Sequence, residues 1–116
     1  GTRAELRSPD PTANPYLVLA VCLSAGLDGI RRKLKIPKAV NRNIYDMTDS
    51  ERINAGIDNL PENLMEAGIE LANDEYLKKT LGTHITRVYL DNIKKEWKEY
   101  STQVTDWEIK QYLYKY

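Results

Sequence analysis

The sequence predicts a mainly α protein, with one N-terminal β-strand followed by about six helices. Three observations carry this. Residues 3–8 alternate, with Arg3, Glu5 and Arg7 falling one way and Ala4, Leu6 and Ser8 the other, which is the period of a strand. From Pro15 onward, apolar residues recur at helical spacing instead. Helix-start signals then punctuate the chain: Asn14-Pro15, Thr48 with Glu51, Asp74, and Thr105 with Glu108.

Residues 1–10 read as strand and turn, because Pro9 and Pro11 cannot continue a central ladder. Asn14 suits an N-cap and Pro15 the first helical position. An apolar helix is expected within 14–36, from Pro15 to about Leu34. Its first three turns are apolar on every side. Its end is basic (Arg31, Arg32, Lys33, Lys35), which suits a helix C-terminus, and Pro37 stops it. Residues 37–47 read as an ordered loop and 48–116 as a helical C-terminal region. There, Thr48 opens a short helix to about Ala55, closed by Gly56. Pro61 opens a helix to about Ala72. Asp74 caps one that ends near Leu81, before Gly82. Thr83 to about Tyr100 is the second long helix, with the stripe Ile85, Val88, Tyr89, Ile93, Trp97 and Tyr100. The last helix carries Ile109, Tyr112, Leu113 and Tyr116 on one side. Repeats, low-complexity tracts and long linkers are absent.

With 116 residues the chain has the size of one ordinary domain, enough for one core. Seventeen Lys and Arg balance seventeen Asp and Glu, which argues against a general nucleic-acid or membrane surface. One cysteine, Cys22, excludes a disulfide framework, fits a reducing compartment and reads as a small buried hydrophobe. The longest apolar run, Tyr16–Leu27, falls short of the ~20 residues a membrane span needs. The charged N-terminus has no leader pattern. The sole histidine, His84, has no His or Cys partner and reads as a surface residue at a helix start. The chain does not begin with Met, and is expected to be an excised piece of a longer protein. The apolar helix agrees: it must be covered on all sides, and the later helices have one face each to give.

On a strand, alternate side chains stand about 6.5–7 Å apart, so Glu5 lies between two guanidiniums. Carboxylates are hard oxygen ligands for Mg²⁺ or Mn²⁺. Arginine forks grip phosphate and carboxylate oxygens in pairs. Such a trio suits a metal-bound nucleotide and a carboxylate substrate. The same spacing on a solvent face is usually a ladder of weak ion pairs, and spacing alone favours that reading.

The surrounding residues extend the pattern. Arg3-Glu5-Arg7, Pro9-Asp10-Pro11, Asn14-Pro15-Tyr16-Leu17 and Ala25-Gly26-Leu27-Asp28-Gly29 follow one another without a gap. In this order they resemble the type I glutamine synthetases. The resemblance continues through Asn41–Met47, and the "KEWKEY…QVTDWEIKQYL" end is similar to the branch common in Gram-positive bacteria. It covers essentially the whole chain and implies the C-terminal part of that family's α+β catalytic domain.

The resemblance implies an ATP-dependent glutamate–ammonia ligase of the cytoplasm, making glutamine through γ-glutamyl phosphate with Mg²⁺ or Mn²⁺. It implies Glu5 as a metal ligand, Arg3 as a nucleotide-phosphate contact, and Arg7 as the catalytic residue that also binds substrate. The remaining active-site parts lie upstream in that family, so this chain alone is expected to be inactive. The family assembles as two stacked hexameric rings. Its C-terminal segment contributes to ring–ring contact and, in the Gram-positive branch, relates to the binding of transcription regulators; both carry to Asp106–Tyr116 as expectations. Tyr45 falls where the enteric branch carries an adenylylated tyrosine, although the downstream sequence resembles the branch not regulated that way. A packing role is the other reading of Tyr45. Set against the enzyme is an independent helical protein-interaction module that reused this region. An excised piece should expose apolar surface and self-associate, whereas an evolved module should be one defined species.

Overall fold

Asn14 begins the ordered architecture. In the computed structural model, which describes residues 1–115, its side chain accepts from the Tyr16 and Leu17 amides and starts α1, Pro15–Arg31. A 3₁₀ turn follows at Ile44–Asp46, then α2 (Asp49–Asn54), α3 (Leu64–Asn73), α4 (Glu75–Leu81), α5 (Thr83–Ser101) and α6 (Asp106–Tyr112). The expected Tyr116 of the last stripe lies outside the described residues.

The described residues contain no strand, which corrects the expectation for residues 3–8. A strand exists through its ladder, and no second extended segment among the described residues pairs with this one. The side-chain alternation survives in part: Glu5 and Arg7 lie on one side and bond to each other.

Most helix starts follow local chemistry. Thr48–Glu51 and Thr105–Glu108 form complete capping boxes, and Asp74 accepts from the Leu77 amide. Gly56, with φ 66°, closes α2 as expected. Two boundaries differ. The third helix starts at Leu64 rather than at Pro61, because the Asn63 side chain takes the Glu66 amide at 2.9 Å. The first ends at Arg31, three residues before Leu34. Lys33 turns left-handed with φ 53°, so its amide reaches the Ile30 carbonyl and the Leu34 amide reaches that of Gly29. This stop is usually glycine's; a lysine accepts it at a cost of about 1–2 kcal/mol.

α3, α4 and α5 form the packed unit, and α1 lies on α4. Ile93 of α5, 7% exposed, is the buried hydrophobic centre, and it rests on Gly68 of α3. A Cβ at Gly68 would stand 2.9 Å from Ile93 Cγ2. Thr86, seven residues earlier on α5, is also buried and donates to the Lys78 carbonyl, closing the α4–α5 corner. Lys78 in turn donates to the Ala72 carbonyl at 2.7 Å, where α3 gives way to α4. The rest of the expected α5 stripe is open: Ile85, Val88, Tyr89 and Tyr100 are exposed and Trp97 is half-buried. His84 is exposed at the start of α5, as expected.

The one-core expectation is met only at this small centre. The accessible surface is 10788 Å², whereas a compact 13.4 kDa chain exposes about 6,500 Å². The radius of gyration is 18.6 Å, against ~13 Å for a compact chain of this length. Along α1, Tyr16, Leu19, Leu23, Leu27 and Ile30 are exposed, a stripe that continues to Leu34. Cys22 is half-buried and free.

Gly68→Ala is expected to destabilise the chain by ~1–3 kcal/mol through overpacking, offset by up to ~1 kcal/mol of helix propensity, because the atom it meets is the stiff β-branch of Ile93. Urea unfolding followed by circular dichroism checks this. A pH prediction comes from the caps. The Thr48 amide and hydroxyl, then the Arg42 guanidinium, hold the Glu51 carboxyl below its ordinary 4.5, and Thr105 does the same for Glu108. A lowered folded value means that the contribution is full above the ordinary value and is lost as the pH falls through the lowered one. Helix content should therefore drop on acidification, and the double variant Glu51→Gln/Glu108→Gln should flatten that drop.

Candidate functional site

The candidate site is the segment before α1. Arg7 Nε donates to Glu5 Oε1 at 2.7 Å, with the two side chains 84% and 51% exposed. Arg3 is exposed two places earlier. Backbone hydrogen bonds tie none of residues 1–8 to the helices. The pairing engages Arg7 through a single N–H. A guanidinium has five N–H donors, so both of its terminal nitrogens stay available. Glu5 likewise keeps Oε2 and the remaining lone pairs of Oε1.

Behind this segment is a turn whose role the sequence reading missed. Asp10 Oδ1 accepts from the Thr12 amide at 2.7 Å and from the Thr12 hydroxyl, and the Asp10 carbonyl accepts from the Ala13 amide at 3.0 Å. The Thr12 hydroxyl, then its amide, hold the Asp10 carboxyl below its ordinary 3.8. An Asp with a hydroxyl residue two places on, between prolines, is the sequence signal for such a turn.

α1 is held by a hydroxyl cluster. Tyr76 of α4 donates to the Ser24 carbonyl at 2.9 Å and accepts from the Ser24 hydroxyl at 2.9 Å, while Thr80 lies 3.0 Å from that hydroxyl. Sequence alone gives no sign of it, since Ser24 and Tyr76 are 52 residues apart.

Two further expected sites stand apart from this segment in the fold. Tyr45 sits on the 3₁₀ turn, 98% exposed, with its amide bonded to the Asn43 side chain. It packs against nothing, so the packing reading fails for the described chain. On α6, Trp107 and Tyr112 are exposed, as are Leu113 and Tyr114 just beyond. Trp107 meets Tyr112 edge-on at 6.0 Å and Lys115 stands over the Tyr112 ring.

No group of three His, Cys, Asp or Glu side chains converges on a point that could hold a metal ion among the described residues. Mg²⁺ keeps near-octahedral oxygen coordination. Glu5 offers one carboxylate toward the several oxygens that such an ion takes. No helix among the described residues is long and apolar enough to cross a membrane.

Comparison with known proteins adds to this geometry. The family model described as "Glutamine synthetase, catalytic domain" matches residues 1–112. The chain is 53% identical over 116 residues to a glutamine synthetase of Clostridium saccharobutylicum, covering all of this chain and 26% of that protein. It is 50% identical over 113 residues to one from Methanococcus voltae, covering 97% of this chain and 25% of that protein. It is 49% identical over 115 residues to one from Staphylococcus aureus, covering 99% and 26%. The chain thus spans about a quarter of the length of the curated relatives it matches. This similarity favours the enzyme reading over the independent interaction module. The Arg-Glu-Arg segment, its turn and the six helices after it belong to the glutamine synthetase catalytic-domain family.

Proposed function

We propose that this chain supplies the Arg3-Glu5-Arg7 segment to the active site of an ATP-dependent glutamate–ammonia ligase. The observation that carries the reading is the Glu5–Arg7 pair: a carboxylate and a guanidinium on one side of an exposed segment, each with bonding capacity left over. In the reaction, the side-chain carboxylate of glutamate takes the γ-phosphoryl group of ATP, and ammonia then displaces phosphate to give glutamine. Arg3 binds nucleotide phosphate oxygens. Arg7 keeps its Nε–H on Glu5 and turns its terminal nitrogens to the transferring phosphoryl group and the substrate carboxyl. A fixed, always-charged guanidinium suits a transition state whose charge spreads over equatorial oxygens. Glu5 gives one ligand to a divalent ion, Mg²⁺ or Mn²⁺. When bound, such an ion offsets phosphate charge.

The remaining ligands and pockets belong to other parts of the enzyme, so the 116 residues alone are inactive. The same reading gives the parent a cytoplasmic location and an assembly of two stacked hexameric rings. The exposed aromatics of α6 serve ring–ring contact or a transcription regulator. An exposed Tyr45 phenol is open to adenylylation, which intact mass would reveal.

In the full-length enzyme, Arg7→Ala should lower kcat by about 10²–10³-fold. It should barely change the melting temperature, because the side chain is 84% exposed. Glutamate- and ammonia-dependent ATP turnover measures the first and calorimetry the second; unchanged turnover removes Arg7 from the mechanism. Glu5→Gln should raise the divalent-ion concentration needed for half-maximal activity at least about tenfold, read by metal titration of the same assay.

A further inference from the structure

We propose that Asp10 is a positioning residue: its carboxylate locks the turn that aims Arg3, Glu5 and Arg7 relative to α1. This rests on the reading above.

The argument begins with what fails to hold residues 1–8. All eight are exposed, and no backbone hydrogen bond among the described residues fixes them to the helices. Their direction relative to the body is therefore set within this chain at residues 8–14. Five of these are stiff by covalent geometry. Pro9 and Pro11 have φ fixed near −65°, and Ser8, Asp10 and Asn14, each before a proline, are confined to extended conformations.

What proline cannot set is the course from Pro11 into the helix, and there Asp10 acts. Its Oδ1 draws in the Thr12 amide at 2.7 Å and the Thr12 hydroxyl, while its own carbonyl takes the Ala13 amide at 3.0 Å. Asn14 follows at once and caps α1, bonding the Tyr16 amide at 3.0 Å and the Leu17 amide at 3.3 Å. α1 is anchored to α4 at Ser24 through Tyr76 and Thr80. A continuous chain of constraints thus leads from the packed helices to Arg7. Pro9 is the half-buried residue of the tract up to Pro11. Asp10 is exposed, so its carboxylate serves the turn and is not buried in a core. Loss of its two bonds frees Thr12 and swings a segment whose work needs placement within about 1 Å.

The test uses the full-length enzyme. Asp10→Ala should lower kcat about tenfold to a hundredfold, with KM for ATP and glutamate changed less and the melting temperature within a few degrees of the native value. Asp10→Asn should recover most of kcat, because its amide oxygen still accepts from the Thr12 amide and hydroxyl. Thr12→Ala keeps the amide bond and should fall between them. Arg7→Ala is measured alongside. Inactive Arg7→Ala with native kcat in Asp10→Ala overturns the positioning role and leaves the proposed function standing; active Arg7→Ala overturns the function first. Equal losses in Asp10→Asn and Asp10→Ala would make the charge the active element and overturn the turn-locking role. If Asp10→Ala fails to assemble, the Thr12→Ala and Asp10→Asn comparison decides: native kcat in Thr12→Ala, or a loss in Asp10→Asn, overturns it.

Discussion

Everything packed in this chain turns on one close contact, the seat of Ile93 on Gly68. A methyl group at residue 68 would intrude to 2.9 Å, so the absence of a side chain is what lets α5 settle onto α3. Because Ile93 is the buried hydrophobic residue, the contact cannot be shared out over a broad core. The polar bonds around it serve the same end. Thr86 reaches back to the Lys78 carbonyl and Lys78 to the Ala72 carbonyl, so both corners beside the contact are tied by side chains. Corners held this way keep α3, α4 and α5 in register where apolar burial is scarce.

α1 joins the body by different means. Beside the apolar face of Leu17, Val18 and Val21 turned to Leu77 and Leu81, it has the three-hydroxyl cluster of Ser24, Tyr76 and Thr80, directional and placed midway along the helix. Hydrogen bonds of this kind add only about 1 kcal/mol each to stability. They specify geometry better than they hold weight. That suits a helix whose N-terminus carries the turn to Arg7: what matters there is where the helix stands and how it is rotated. The exposed leucines along α1 leave most of its possible hydrophobic stabilisation unused within the described residues.

The sequence made the local features legible and left the non-local ones dark. Asn14 before Pro15, the Thr48–Glu51 and Thr105–Glu108 boxes, Asp74 and Gly56 each act through neighbours within four residues, and each is where the pattern puts it. The stop after Arg31 escaped because the left-handed residue is Lys33, and nothing in a lysine announces that conformation. α3 starts at Leu64 because Asn63, two residues past Pro61, supplies the cap, and a proline alone does not mark a helix start. The strand failed for a deeper reason. Alternation at Arg3, Glu5 and Arg7 describes which way side chains point, whereas a ladder needs a partner that alternation cannot supply. The α5 stripe shows the same limit: periodicity marks Ile85, Val88 and Tyr89 as a face without saying whether anything covers it.

The joints beside α4 have a consequence for how the length of this chain can vary. Asp74 both ends α3 and begins α4, and Gly82, with φ 81°, is the whole of the link to α5. Neither joint has a spare residue. One amino acid inserted between Gly82 and Ile93 would carry Ile93 about 100° around α5, off Gly68 and towards solvent. Insertions and deletions should therefore be tolerated in 34–43, 57–62 and 102–104, where the backbone runs outside helices, and be purged from 64–93. Across that stretch helical phase, more than the identity of any one side chain, is what inheritance has to preserve.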